Sequence, residues 1–195
     1  MFLLTVVSAL ASTVTLTNNP HACTDTYETH PLVGEEDNLA AAKLTPPSYP
    51  ATVTAVSWRL AHGTYGTDPA FCDAGLAYEV LVFKGYGTTP PSTPTILETI
   101  TVAAASLPSY DETYTFSQTL SSPITLNTGE KLYVAVRMTG DPEEDVVCVS
   151  LCKNTDWRRK LNFWSNSADA PYPWSAMEDY FIYKNYEFEA TATVE

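Results

Sequence analysis

Basic side chains are scarce in this chain: ten Lys and Arg stand against 23 Asp and Glu in 195 residues, a formal net charge of -13. Such a field repels phosphate backbones and anionic lipid, which sets nucleic acids and membrane surfaces aside as partners. The dense basic run Arg158-Arg159-Lys160 is too short to reverse it. Long apolar runs are missing as well. The N-terminal one falls short of the ~20 residues a bilayer-spanning helix needs, so no membrane span is expected. Histidine is limited to His21, His30 and His62, scattered in loop-like sequence. There is no G-x-S-x-G elbow, phosphate-binding P-loop, G-x-G-x-x-G or H-E-x-x-H. A catalytic centre is therefore not expected. Helix signals are weak too: "DNLAAAKL" could form one or two turns, and "TVAAASLP" is stopped by Pro108.

What the chain does hold is Thr, Tyr, Val, Ala and Pro with few charges, a composition suited to a secreted or cell-surface β protein. Its four cysteines, Cys23, Cys72, Cys148 and Cys152, form an even set that suggests two disulfides among three possible connectivities. The expected bridges are Cys72 to Cys148, stapling two distant loops, and Cys23 to Cys152, anchoring the N-terminal segment. Zinc is the rival use, since Cys148-x-x-x-Cys152 with His21 and Cys23 has the right ligand types. No second short-spaced Cys pair supports it.

Hydrophobic period points to strands. From Tyr186 the chain alternates, with Tyr186, Phe188, Ala190, Ala192 and Val194 on one face and Glu187, Glu189, Thr191, Thr193 and Glu195 on the other. "KLYVAVRM" repeats the pattern, with Leu132, Val134, Val136 and Met138 sharing a face. "TVTAVSWRL" places Val56, Trp58 and Leu60 on one side and Val53 and Ala55 on the other. "LAYEVLVF" is apolar on both faces except for Glu79, the pattern of a strand covered on both sides. "TILETITV", "ETYTFSQTL", "VVCVSL" and "RKLNFW" add further strands. The expected fold class is all-β, an antiparallel β-sandwich with jelly-roll or Ig-like connections, about nine or ten strands and long loops. The Pro-rich stretch from Gly85 to Thr95 joins strands rather than domains, because apolar runs resume on both sides. Residues 1–35 read as an N-terminal arm or strand and 36–195 as the sandwich domain.

The succession "AAAKLTPPSYPATVTAVSWRL", "YEVLVFKGYGTTPPSTP", "LNTGEKLYVAVRM" and "NFWSNSADAPYPW", followed by an aromatic-to-Ala strand, resembles the accessory β-sandwich modules of secreted bacterial proteins. That resemblance implies surface attachment, assembly or substrate targeting without catalysis.

Three sets of residues are candidates for such roles. Trp157, Tyr172 and Trp174 lie in or near loops and could stack on sugar faces, although Trp174 could equally plug the end of the sandwich. Asp141, Glu143, Glu144 and Asp145 could supply oxygens to Ca²⁺, the one cofactor the sequence suggests, without EF-hand spacing. Phe2, Leu3, Leu4, Val6 and Val7 form an apolar segment that reads in three ways. Residues 1–11 could be a signal remnant ending in Ala9-Leu10-Ala11, or part of an arm that either pairs within its own sandwich, the reading slightly favoured, or adds a strand to a neighbouring sheet. The expected function is an extracellular structural or adhesive protein, a filament subunit if the arm donates a strand, with carbohydrate binding as the alternative. Its expected partners are further copies of itself, another extracellular protein or a glycan.

Overall fold

The computed structural model describes residues 11–18, 28–31, 39–61, 77–103, 113–139, 148–153, 160–167, 169–180 and 184–195. Along the chain run β1 (Ser12–Thr17), β2 (Glu28–Pro31), β3 (Leu39–Leu44), β4 (Ala51–Ala61), β5 (Tyr78–Gly85), β6 (Ile96–Val102) and β7 (Thr113–Leu126). They are followed by β8 (Lys131–Met138), β9 (Cys148–Lys153), β10 (Asn162–Ser165) and β11 (Ser175–Ala176). A short 3-10 turn (Met177–Tyr180), β12 (Lys184–Tyr186) and β13 (Phe188–Val194) complete the order. The strands form two antiparallel sheets. The first runs β1-β13-β4-β9-β12, with β7 on the other side of β4 and β2 on β9. The second runs β11-β10-β3-β8-β5-β6. The protein is an all-β sandwich, as the alternation predicts.

The inner faces meet in one large core. β13 sends Phe188, Ala190, Ala192 and Val194 inward, and β8 answers with Leu132, Val134, Val136 and Met138. Each fully buried Val, Leu or Phe in such a layer contributes about 1.5–3 kcal/mol. Trp58, Tyr78 and Phe116 fill one region of it. Trp58 stacks on Phe116 at 5.8 Å and its indole donates to the Tyr78 hydroxyl at 3.0 Å. Burial pushes that phenol up to about 12.

Two sequence expectations are corrected here. Leu39–Leu44, expected to form helical turns, is strand β3, and all six of its residues are buried. It lies between β10 and β8 with both faces covered, where Ala40 and Ala42 enter the main core and Ala41 the opposite one. Alanine serves here because a strand packed on two sides needs small side chains, and that tertiary demand overrides helix propensity. Val53 and Val56, placed on opposite faces by strict alternation, share the main core. The register of β4 on β7 shifts between Val53 and Ala55, where β7 jumps from Ile124 to Thr119. A bulge resets the period by one residue, so Val53, Val56, Trp58 and Leu60 all point inward.

The first 35 residues contribute two described strands. β1 pairs with β13 through all six residues, and β2 pairs with β9. Leu16 of β1 is only 2% exposed. This stretch of the arm pairs within its own sheet, while Phe2, Leu3, Leu4, Val6 and Val7 lie outside the described residues.

Glu130 closes the turn into β8. Its Oε2 accepts from Asn127 N at 2.7 Å, Asn127 Nδ2 at 3.1 Å and Lys84 Nζ at 3.0 Å, while its carbonyl accepts from the Tyr49 hydroxyl. Gly129 in this turn has φ 86°, a conformation that favours glycine. Burial alone would push the Glu130 carboxyl up, but the Asn127 backbone donor and Lys84 outweigh it and hold the group below the usual range.

Because the folded-state value lies below the unfolded one, the stability this group adds is present above about pH 4.3 and is lost as pH falls through the folded value. Glu130→Gln is therefore expected to lower stability by about 1–3 kcal/mol at pH 7. The gap from wild type should narrow in melts at pH 3.

Neither described cysteine is a free thiol. Cys148 and Cys152 sit four residues apart on β9, about 13 Å along a strand, beyond the ~7 Å that one bridge can span. Cys23 and Cys72 lie outside the described residues. The chain enters β2 from the Cys152 end of β9, since Glu28 faces Leu151 and Pro31 faces Cys148. It leaves β4 at the Cys148 end, since Leu60 faces Val149. Non-reducing peptide mapping is accordingly expected to return Cys23–Cys152 and Cys72–Cys148. The crossed pairs would show that these registers do not extend to the cysteines.

Candidate functional site

The outer face of the second sheet carries its own apolar layer. Leu39, Ala41, Leu81, Phe83, Tyr133, Ala135 and Phe163 point away from the main core and are buried nonetheless. Two segments cover them. One is the Pro-rich connection between β5 and β6. The other is the stretch before β11, which brings in Tyr172 and Trp174.

Hydrogen bonds tie these covers to the sheet and to each other. The Tyr133 hydroxyl lies 3.2 Å from Gly87 O and 3.1 Å from Thr89 O, and Lys43 Nζ donates to Thr88 O at 2.9 Å. Tyr172 N donates to Ser92 O at 2.7 Å and the Trp174 indole to Pro91 O at 2.9 Å. The rings run on as a chain: Tyr172 to Trp174 at 5.4 Å, Trp174 to Phe83 at 6.3 Å, Phe83 to Tyr133 at 5.4 Å and Tyr133 to Phe163 at 6.4 Å. Burial pushes the Tyr133 phenol up to about 12. Burial, then Lys131, pulls the Lys43 ammonium down, with Glu178 opposing.

This placement decides two of the expected sugar-binding residues. Tyr172 is 6% exposed, so it offers no ring face to a ligand. Trp174 is half-buried with its indole N–H engaged, and it covers the outer face of the second sheet rather than plugging the end of the sandwich. Trp157 lies outside the described residues, as do Asp141, Glu143, Glu144 and Asp145. Among the described residues no three His, Cys, Asp or Glu side chains gather as a metal set.

Among the described residues two aromatic side chains are well exposed, Tyr86 at 66% and Tyr180. Tyr180, at the end of the 3-10 turn, is 56% exposed and meets Trp164 of β10 edge to face, with centroids 5.6 Å apart and planes at 65°. Beside it Lys160 Nζ pairs with Asp179 at 2.7 Å, both side chains about half exposed. The turn is anchored from beneath by fully buried Met177, and Glu178 Oε1 accepts from Leu161 N at 3.1 Å. Burial pushes the Glu178 carboxyl up, and its Oε2 has no hydrogen-bond partner. Sequence reasoning missed Tyr180 because "MEDYF" shows no strand alternation. It assigned Trp164 to a strand, where the residue indeed lies, with its ring packed against the main core rather than under the outer cover.

Comparison with known proteins supports the architecture. No protein-family model and no curated protein matches the chain. Among solved structures, the clostridial cysteine protease Cwp84 after propeptide cleavage aligns with a TM-score of 0.54 at 13% identity, covering 87% of this chain and 41% of that one. A second structure, the cysteine protease and lectin-like domains of Cwp84, a surface layer associated protein of Clostridium difficile, aligns at 0.53 and 13%, covering 87% and 36%. The chain spans less than half the length of either structure. At this identity the likeness is one of fold.

Trp174→Ala is expected to destabilise the protein by about 3 kcal/mol in chemical denaturation, because it opens the outer layer. A variant of unchanged stability would return Trp174 to the list of surface residues.

Proposed function

We propose that the chain is a non-catalytic extracellular β-sandwich with a structural or adhesive role, able to assemble by strand addition at its β1 edge. The observation that carries this reading is the character of β1. Among the described strands it ends the order of the first sheet, and its sequence, STVTLT, holds no charge and no proline. Its pairing with β13 has no register shift. A regular, uncharged, β-branched edge is the kind that accepts another strand. The other long edge in that sheet, β7, carries Pro123 and a bulge, two features that block such pairing.

The extracellular setting is supported by the acidic charge, by the absence of a free thiol among the described cysteines and by the surface-layer association of the Cwp84 neighbour. A second reading, carbohydrate binding, is favoured by the exposed Tyr180 beside Trp164 and by the lectin-like domain in that neighbour's description.

Light scattering after size exclusion tests assembly. The full chain is expected to form multimers that grow with concentration, and Thr15→Lys, which puts a charge on the edge, to return it to monomer with stability changed by no more than about 0.5 kcal/mol. A wild-type chain that stays monomeric at its highest soluble concentration would overturn the assembly reading.

A further inference from the structure

We infer that the corner between Trp164 and Tyr180, flanked by the Lys160–Asp179 ion pair, binds a neutral saccharide by stacking the apolar face of one pyranose ring on Tyr180. This rests on the carbohydrate-binding reading and places its site away from the Tyr172–Trp174 loop.

Exposure singles the corner out. Tyr86, Leu97 and Tyr180 are the large apolar side chains exposed among the described residues. Leu97 stands alone on edge strand β6. Tyr86 lies over the turn at Gly129. Tyr180 has an aromatic partner at an angle, and two rings at 65° make a corner with one wall open to solvent.

The corner is held before any ligand arrives. Trp164 is paired on both sides, to Ala40 of β3 and Ser175 of β11, and it packs against the main core. The turn bearing Tyr180 is fixed by Met177 and by the bond from Leu161 N to Glu178. A ring already immobilised loses little side-chain entropy on binding.

Chemistry selects the ligand class. An exposed ion pair presents a donor and an acceptor side by side and carries no net charge. Sugar hydroxyls both donate and accept, so they can use each half of it. Trp164 carries an indole N–H, a further donor of the kind a sugar hydroxyl can use. A polyanion would meet the repulsion of a chain at -13, while a neutral polyol meets none.

The test is affinity electrophoresis of the full chain through gels containing neutral polysaccharides: a mannan, a xylan, a β-glucan and a soluble chitin derivative. Wild type is expected to be retarded by at least one of them. Tyr180→Ala should weaken that retardation roughly tenfold, Tyr180→Leu should fail to restore it, and Tyr86→Ala should leave it unchanged. Trp164→Phe, which keeps a ring and removes the N–H, should weaken it by a few-fold, roughly the loss of one hydrogen bond. Thermal melts of each variant separate lost binding from lost fold, and Asp179→Asn gives an independent variant on an exposed side chain. Full retardation of both a folded Tyr180→Ala and a folded Asp179→Asn would overturn this site while leaving carbohydrate binding standing. No retardation of wild type in any gel would overturn both.

Discussion

Covering the second sheet on both faces is the constraint from which most of this architecture follows. Its inner side is buried by the first sheet, as in any sandwich. Its outer side carries Leu81, Phe83, Tyr133 and Phe163, which among the described residues no second layer of regular structure covers. That apolar surface must be shielded, and irregular chain can shield it only if its own backbone polar groups find partners. Tyr133, Lys43 and Trp174 provide them by bonding to carbonyls of the Pro-rich connection, and that connection in turn accepts Tyr172 N. The aromatic loops are therefore structural because the sheet beneath them is apolar on two sides. A functional surface has to be sought away from this cover.

How far the sequence revealed this depends on the kind of signal each element carried. β13 and β8 were legible because each alternates cleanly, and the inward residues match the expected sets. β5 was legible as a strand covered on both faces, since only Glu79 interrupts its apolar run; the structure pairs that carboxylate with Arg137. β3 was not legible, because three consecutive alanines read as helix in a local window and as a doubly packed strand only once the neighbours are known. Val53 was misplaced because a bulge leaves no mark in composition. Tyr172 and Trp174 were ambiguous for a related reason: an aromatic in a loop looks the same whether it faces solvent or covers a sheet.

Polar contacts fix how the two sheets sit against each other. Asn18 Nδ2 donates to Asn162 Oδ1 at 2.7 Å, and Asn162 Nδ2 donates to Asn185 Oδ1 at 2.6 Å, which links the end of β1 to β10 and β12. Tyr186 N adds a further bond to Asn162 Oδ1. All three amides are buried, so an apolar replacement of one would leave its partners unsatisfied, at about 1–3 kcal/mol each. At another point Glu98 of β6 accepts from both the backbone N and the hydroxyl of Ser121 in β7, closing the sheets along their β6–β7 side. Such contacts select one alignment of two sheets that hydrophobic burial alone would leave free to slide.

The two functional readings draw on separate consequences of this plan. Strand addition depends on the first sheet, where among the described strands β1 ends the order with a regular uncharged sequence while β7 is blocked by Pro123 and its bulge. The proposed saccharide corner belongs to the β11–β10 end of the second sheet, where Trp164 packs on the main-core side. There β11 is only two residues long, and the chain turns sharply through Met177–Tyr180 before it crosses to β12 in the other sheet. That turn carries Tyr180 outward because Met177 is the residue held in the core. Met177 in the core thus leaves Tyr180 exposed, and the β1 edge has no part in it. The proposed assembly edge and the proposed saccharide corner therefore belong to different sheets, and each can be tested without the other.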